Sequence, residues 1–108
     1  MSVSRRELGT IGEALARWYL EEVGLDVVAA NVIVPGGEID LLAVDGSERV
    51  AVEVRTRLGG PDPVDAADPA KRARVKALAR QIAATRVDVL GIRIHRSGFD
   101  VHWVPAAS

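Results

Sequence analysis

Glu38-Ile39-Asp40-Leu41-Leu42-Ala43-Val44 and Val50-Ala51-Val52-Glu53-Val54-Arg55 are two apolar runs, and Asp45-Gly46 stands between them as a turn signal. Short apolar runs on either side of an Asp-Gly dipeptide read as a β-hairpin. Side chains alternate faces along a strand, so Glu38 and Asp40 share one face of the first strand, and Glu53 and Arg55 share one face of the second. If those faces coincide, three carboxylates and a guanidinium converge. Carboxylates set in strands this apolar are costly to bury without a cation, a metal or hydrogen bonds to compensate them, and that cost suggests a site.

An Asp on one strand with Glu-x-Lys on the next resembles the metal centre of the PD-(D/E)XK nucleases, the restriction-endonuclease-like superfamily, except that Arg55 stands where the lysine belongs. More closely, the chain resembles the YraN family of bacterial proteins, which are similar to archaeal Holliday junction resolvases. The matching residues run from Gly12-Glu13-Ala14-Leu15-Ala16 through Gly37-Glu38-Ile39-Asp40-Leu41 and Val52-Glu53-Val54-Arg55-Thr56-Arg57 to Lys71-Arg72. The resemblance implies a metal-dependent endonuclease acting on branched or structured DNA, as a homodimer whose two centres would address the two strands of a branch. It also implies Asp40 and Glu53 as metal ligands, Glu13 as a supporting catalytic carboxylate from the first helix, and Glu38 as an additional carboxylate at the metal.

The 108 residues suffice for one domain with a real core, expected over residues 1–108, and are too few for two. No apolar run approaches the ~20 residues of a membrane span, and the N-terminus lacks the apolar core of a signal peptide. A cytoplasmic protein with no membrane partner is expected. Cysteine is absent, which removes disulfides and thiolate ligands from consideration. The net charge of −1 hides a division: residues 1–54 hold four Lys/Arg against ten Asp/Glu, whereas residues 55–108 hold ten against five. An acidic centre beside basic surroundings suits a metal-assisted enzyme acting on a polyanion, and an unevenly charged solvated surface would read the same way.

Ser4/Glu7 and Thr10/Glu13 are overlapping capping-box pairs ahead of a helix over residues 5–23, for which Leu8, Ile11, Leu15 and Trp18 are the expected core stripe and Gly24 the stop. Glu13 then reads either as a site carboxylate or as the cap of Thr10. Gly9 and Gly12 cost about 1 kcal/mol each in a helix interior, so close approach to a strand or substrate, or a frayed helix start, must explain them. A strand is expected over residues 25–34, with Pro35-Gly36-Gly37 bending the chain into the hairpin and Asn31 serving the bend or a backbone contact. After the glycine-rich loop at 58–63, Asp68-Pro69 opens a second helix over 69–85, buried through Val75, Leu78, Ala79 and Ile82. Arg72, Lys76 and Arg80 recur every four residues on another side, and with Arg57 and Lys71 they are the candidate phosphate contacts. Strands over 87–94 and 99–104 complete the α/β order αβββαβ with one extra C-terminal strand. This is the restriction-endonuclease-like core order, for which a mixed central sheet flanked by helices is expected. His95 and His102 lack metal-type spacing, and Trp18 and Trp103 belong to no aromatic cluster, so neither pair is expected at a site.

Hydrolysing a phosphodiester requires an activated water and a shielded phosphate, and oxygen ligands suit Mg²⁺ or Mn²⁺. Arg55 cannot act as the base, because arginine keeps its proton at any ordinary pH, though its planar fork can hold a phosphate. Three readings follow: the endonuclease, a non-catalytic nucleic-acid-binding or scaffold protein that keeps the nuclease fold, and a buried ion-pair network of Glu38, Asp40, Glu53 and Arg55.

Overall fold

The hairpin is the middle of a five-stranded sheet. In a computed structural model that describes residues 2–65 and 69–107, its strands are β2 (Gly37–Asp45) and β3 (Glu48–Leu58). They pair antiparallel from Asp45 opposite Glu48 to Leu41 opposite Val52, with Gly46 in the left-handed conformation at the turn. β1 (Asp26–Val34) lies antiparallel to β2 on the outside. On the other side β4 (Arg86–His95) runs parallel to β3, and β5 (Gly98–Val104) returns antiparallel at the far edge. A parallel pair needs a long crossover, supplied here by a turn of 3₁₀ helix at Pro63–Asp65 and helix α2 (Pro69–Gln81). Helix α1 (Arg5–Glu22) precedes β1, so the order is αβββαββ and the sheet is mixed, in spatial order β1-β2-β3-β4-β5.

The two helices lie against separate cores. Ala16, Leu20, Leu41, Val50, Val52, Leu90 and Ile92 are buried on the α1 side. Ile39, Ala51, Leu78, Ala79 and Val87 are buried beneath α2. Each fully buried leucine or isoleucine stabilises the fold by roughly 1.5–3 kcal/mol. Ile39 and Leu41 would share a face in a regular pleat, yet they belong to different cores, so the alternation of β2 breaks at Asp40.

Ser4 and Glu7 form the expected capping box: the Glu7 N–H donates to Ser4 Oγ at 3.1 Å, and the Ser4 N–H donates to Glu7 Oε1 at 3.2 Å. At the other end Gly24 (φ +101°) closes a Schellman motif, in which Leu25 N–H donates to the Leu20 carbonyl at 2.9 Å and Gly24 N–H to the Glu21 carbonyl at 3.1 Å. The second capping pair does not form. Thr10 lies inside the helix and its hydroxyl donates to the Arg6 carbonyl. The buried stripe also differs from expectation, because Ile11 (42% exposed) and Trp18 (51%) face outward while Gly12, Ala16 and Leu20 face the sheet. Hydrophobic periodicity favoured the larger side chains, but a Cβ on Gly12 would collide with the Thr56 side chain, so close approach to β3 requires glycine at this position. Trp18 instead meets Phe99 of β5 edge to face, with ring centroids 6.2 Å apart.

α2 ends at Gln81, four residues before the expected end, because Ala83 adopts φ +57° and closes another Schellman motif through Ala84 N–H to the Ala79 carbonyl. With alanine at a position where glycine is usual, no residue signalled that stop. The expected Asp68 cap lies outside the described residues. Val75, Leu78, Ala79 and Ile82 do form the packed side of α2 and the turn beyond it. Trp103 is half-buried, and its indole N–H donates to Asp88 at 2.9 Å. Asp88 is fully buried, and Arg86 and the Ala106 N–H complete its partners.

Candidate active site

The register places Asp40 and Glu53 just beyond the last pair of the β2–β3 ladder, where β2 loses its regular alternation. Asp40 Oδ2 accepts the Val54 N–H at 2.8 Å, so a carboxylate takes up a backbone donor of β3. Two clefts open on Asp40. One, of about 310 Å³ beside α1, is lined by Arg5, Leu8, Gly9, Glu13, Val54 and Thr56. The other, of about 400 Å³ beneath α2, is lined by Glu38, Glu53, Lys71, Arg74, Val75 and Leu78. Glu13 and Glu38 meet again in a third cleft with Arg5, Arg6, Thr10 and Asn31. The structure therefore brings together all four acidic residues expected at the site.

Their proximity is expressed in Asp40, whose pKa is raised from 3.8 to about 6. Burial is the largest cause, the Val54 N–H opposes it, and the negative charges of Glu13, Glu53 and Glu38 raise it further. Glu53 is buried but compensated. Arg55 places Nε 3.4 Å from Oε1 and Nη2 3.4 Å from Oε2, and Lys71 Nζ lies 3.0 Å from Oε1. Arg55 also donates to the Pro63 carbonyl at 3.4 Å, and its side chain is 10% exposed.

The basic residues divide. Lys71 and Arg74 line the cleft beneath α2, whereas Lys76 and Arg80 line another with Glu48, Thr85 and Arg86. Arg72 is half-buried, with its Nε buried and without a hydrogen-bond partner among the described residues. Arg57 is exposed, and its guanidinium lies over Gly60. Sequence reasoning missed Arg5 and Gln81. Gln81 Nε2 donates to the Pro35 carbonyl at 2.8 Å and Arg74 Nη2 to the Gly36 carbonyl at 3.1 Å, so α2 grips the turn that delivers Glu38 and Asp40. Asn31 is left-handed (φ +52°) and borders the cleft shared by Glu13 and Glu38. His102 Nδ1 lies 2.6 Å from Asp62, and His95 lies beside Ser97 and Asp100.

Oxygen donors without nitrogen or sulfur fit Mg²⁺ or Mn²⁺ in chemical type. The geometry is not preassembled, for among the described residues no three acidic or histidine side chains are gathered tightly enough to hold a metal ion. Both oxygens of Glu53 face cations instead.

The element order and mixed sheet are those of the restriction-endonuclease-like class. The structure is similar to Hjc from Archaeoglobus fulgidus, a Holliday junction resolvase, with a TM-score of 0.58 at 19% identity over 90% of this chain and 76% of that one, a likeness of fold. By sequence, residues 12–92 match the model of UPF0102, an uncharacterised protein family, and the chain belongs to that family, the YraN family. A UPF0102 protein of Mycolicibacterium vanbaalenii is 40% identical over 105 residues, covering 86% of this chain and 85% of its own. Another, from Dehalococcoides mccartyi, is 41% identical over 81 residues, covering 73% of this chain and 67% of its own.

Proposed function

We propose that the chain, as one domain over residues 1–108, is a divalent-metal-dependent endonuclease for branched or structured DNA. The observation that carries this reading is Asp40, a carboxyl pushed up to about 6 by burial and three neighbouring carboxylates, which opens on two clefts, one bordered by Arg5 and the other by Lys71 and Arg74. Clustered like charges with perturbed protonation are found more often at functional sites than elsewhere. A resolvase of the same fold supports the substrate class.

Asp40 and Glu53 would hold Mg²⁺ or Mn²⁺, with Glu38 as a further ligand; when bound, the ion supplies charge to shield the phosphate and to activate water. The Val54 N–H fixes the Asp40 carboxylate. Glu13 faces Asp40 across the cleft beside α1 and can orient a water there by accepting its hydrogen bond. Arg5, Lys71 and Arg74 can hold phosphate oxygens at the rims. In the hydrolysis the water oxygen would add to phosphorus as it gives up a proton to solvent, and the bond from phosphorus to one sugar oxygen would break, that oxygen taking up a proton from solvent.

A second reading, a nucleic-acid-binding protein without turnover, is favoured by the cations on both oxygens of Glu53 and by an Arg55 that cannot shed its proton. The pure ion-pair reading accounts for less: among the described residues, Glu53 and Arg55 pair, but neither Asp40 nor Glu38 has a cation at ion-pair distance. Cleavage of four-way, flapped and linear DNA in Mg²⁺ or Mn²⁺ separates these readings. The parent should cleave a branched substrate, and Asp40→Asn and Glu53→Gln should each reduce the rate by about a hundredfold or more. Variants as active as the parent would remove the site, and binding without cleavage by the parent would leave the second reading.

A further inference from the structure

Glu53 is held by two cations of unequal exposure. The Arg55 guanidinium is 10% exposed, spans both oxygens of Glu53, and donates a third time to the Pro63 carbonyl. Lys71 reaches Oε1 from α2 at 3.0 Å, but its side chain is 53% exposed. Drawing Arg55 away would strip several partners from a buried group. Lys71 can be rehydrated at little cost on its flexible stem.

We propose that Lys71 is a displaceable counter-ion and a positioning residue: it occupies Glu53 in the metal-free protein and exchanges that carboxylate for a substrate phosphate oxygen when a divalent cation binds. The inference rests on the metal reading above and adds a residue that the Glu-x-Arg sequence of β3 does not contain. A cation at Glu53 Oε1 would stand within a few ångströms of Lys71 Nζ, so the two would repel and the exposed ammonium, which water can solvate, would leave. Because Lys71 lines the same cleft as Asp40 and Glu38, the released ammonium remains where a phosphate would lie.

The experiment is Mn²⁺ titration by calorimetry for the parent, Lys71→Met, Lys71→Arg and Glu53→Gln, with DNA affinity measured in Ca²⁺. Lys71→Met should bind Mn²⁺ about fivefold more tightly than the parent, the factor expected for losing a part-exposed charge pair, while binding DNA more weakly with a salt slope lower by about 0.9. Lys71→Arg should keep both properties close to those of the parent. Mn²⁺ affinity that is unchanged or weaker in Lys71→Met, with the thermal midpoint preserved, would overturn the exchange and leave Lys71 as a fixed partner of Glu53. Absence of Mn²⁺ binding by the parent and Lys71→Met alike would overturn the metal reading and this inference with it, whereas the preceding result overturns the inference alone.

Discussion

Asp40 keeps a proton up to about pH 6 in the folded chain, against 3.8 for an unperturbed aspartate. Between those values the folded state binds more protons than the unfolded one, so stability falls as pH rises through that window and the cost is complete above it. Asp40→Asn removes the charge and retains an oxygen for the Val54 N–H. In EDTA it should stabilise the protein by on the order of 1–3 kcal/mol at pH 7.5 or so, and the gain should vanish below about pH 4. Thermal denaturation across pH measures this, and a gain independent of pH would show that burial and like charge are not what Asp40 feels. Arg55 supplies the opposite case. Removing a buried counter-ion strands its partner, so Arg55→Ala should destabilise by about 2–3 kcal/mol in urea denaturation. A cost below about 0.5 kcal/mol would mean that Lys71 alone compensates Glu53. The hairpin made the nearness of Glu38, Asp40, Glu53 and Arg55 legible in the sequence, because only two strands and a turn are involved, but the break in β2 alternation at Asp40 was not legible. The grip of Lys71 on Glu53 was not legible, since it depends on where α2 docks.

α1 shows the same limit for a whole element. Its start and stop were legible because Ser4, Glu7 and Gly24 act through the local backbone. Its buried face was not, because sheet proximity overrides hydrophobic periodicity at Gly12. Two glycines in one helix should therefore respond oppositely to alanine. A Cβ on Gly9 meets nothing within 4 Å, so Gly9→Ala should stabilise by up to about 1 kcal/mol through helix propensity. A Cβ on Gly12 would overlap the Thr56 hydroxyl, so Gly12→Ala should destabilise by roughly 2 kcal/mol or more despite the same propensity gain. Adding Thr56→Ala should recover only part of that loss, because Thr56 Cβ would still lie 2.8 Å from the new methyl group. Urea denaturation of the three variants measures this, and equal effects at Gly9 and Gly12 would mean that α1 stands farther from β3 than described.

Across the molecule, the acidic first half and basic second half of the sequence meet because the β3–α2–β4 crossover lays α2 beside the hairpin. The four-residue spacing of Arg72, Lys76 and Arg80 suggested one basic stripe, but spacing on a helix does not reveal which cleft each member borders. Lys71 and Arg74 border the carboxylates, whereas Lys76 and Arg80 border a different cleft with Glu48 and Arg86. Under the proposed function, DNA whose scissile phosphate lay at Asp40 would pass the first pair, and it would reach the second only if the duplex continued along α2. On a short linear duplex in Ca²⁺, Lys71→Ala with Arg74→Ala should lower the slope of log affinity against log salt by about 1.8, or 0.9 for each lost phosphate contact. Lys76→Ala with Arg80→Ala should leave the short-duplex slope nearly unchanged and lower it on a four-way junction, whose additional arms extend the contact surface. Salt titrations with both DNAs measure the four slopes. Equal losses from both pairs on the short duplex would mean that α2 lies along the DNA for its whole length and that the two clefts act as one surface.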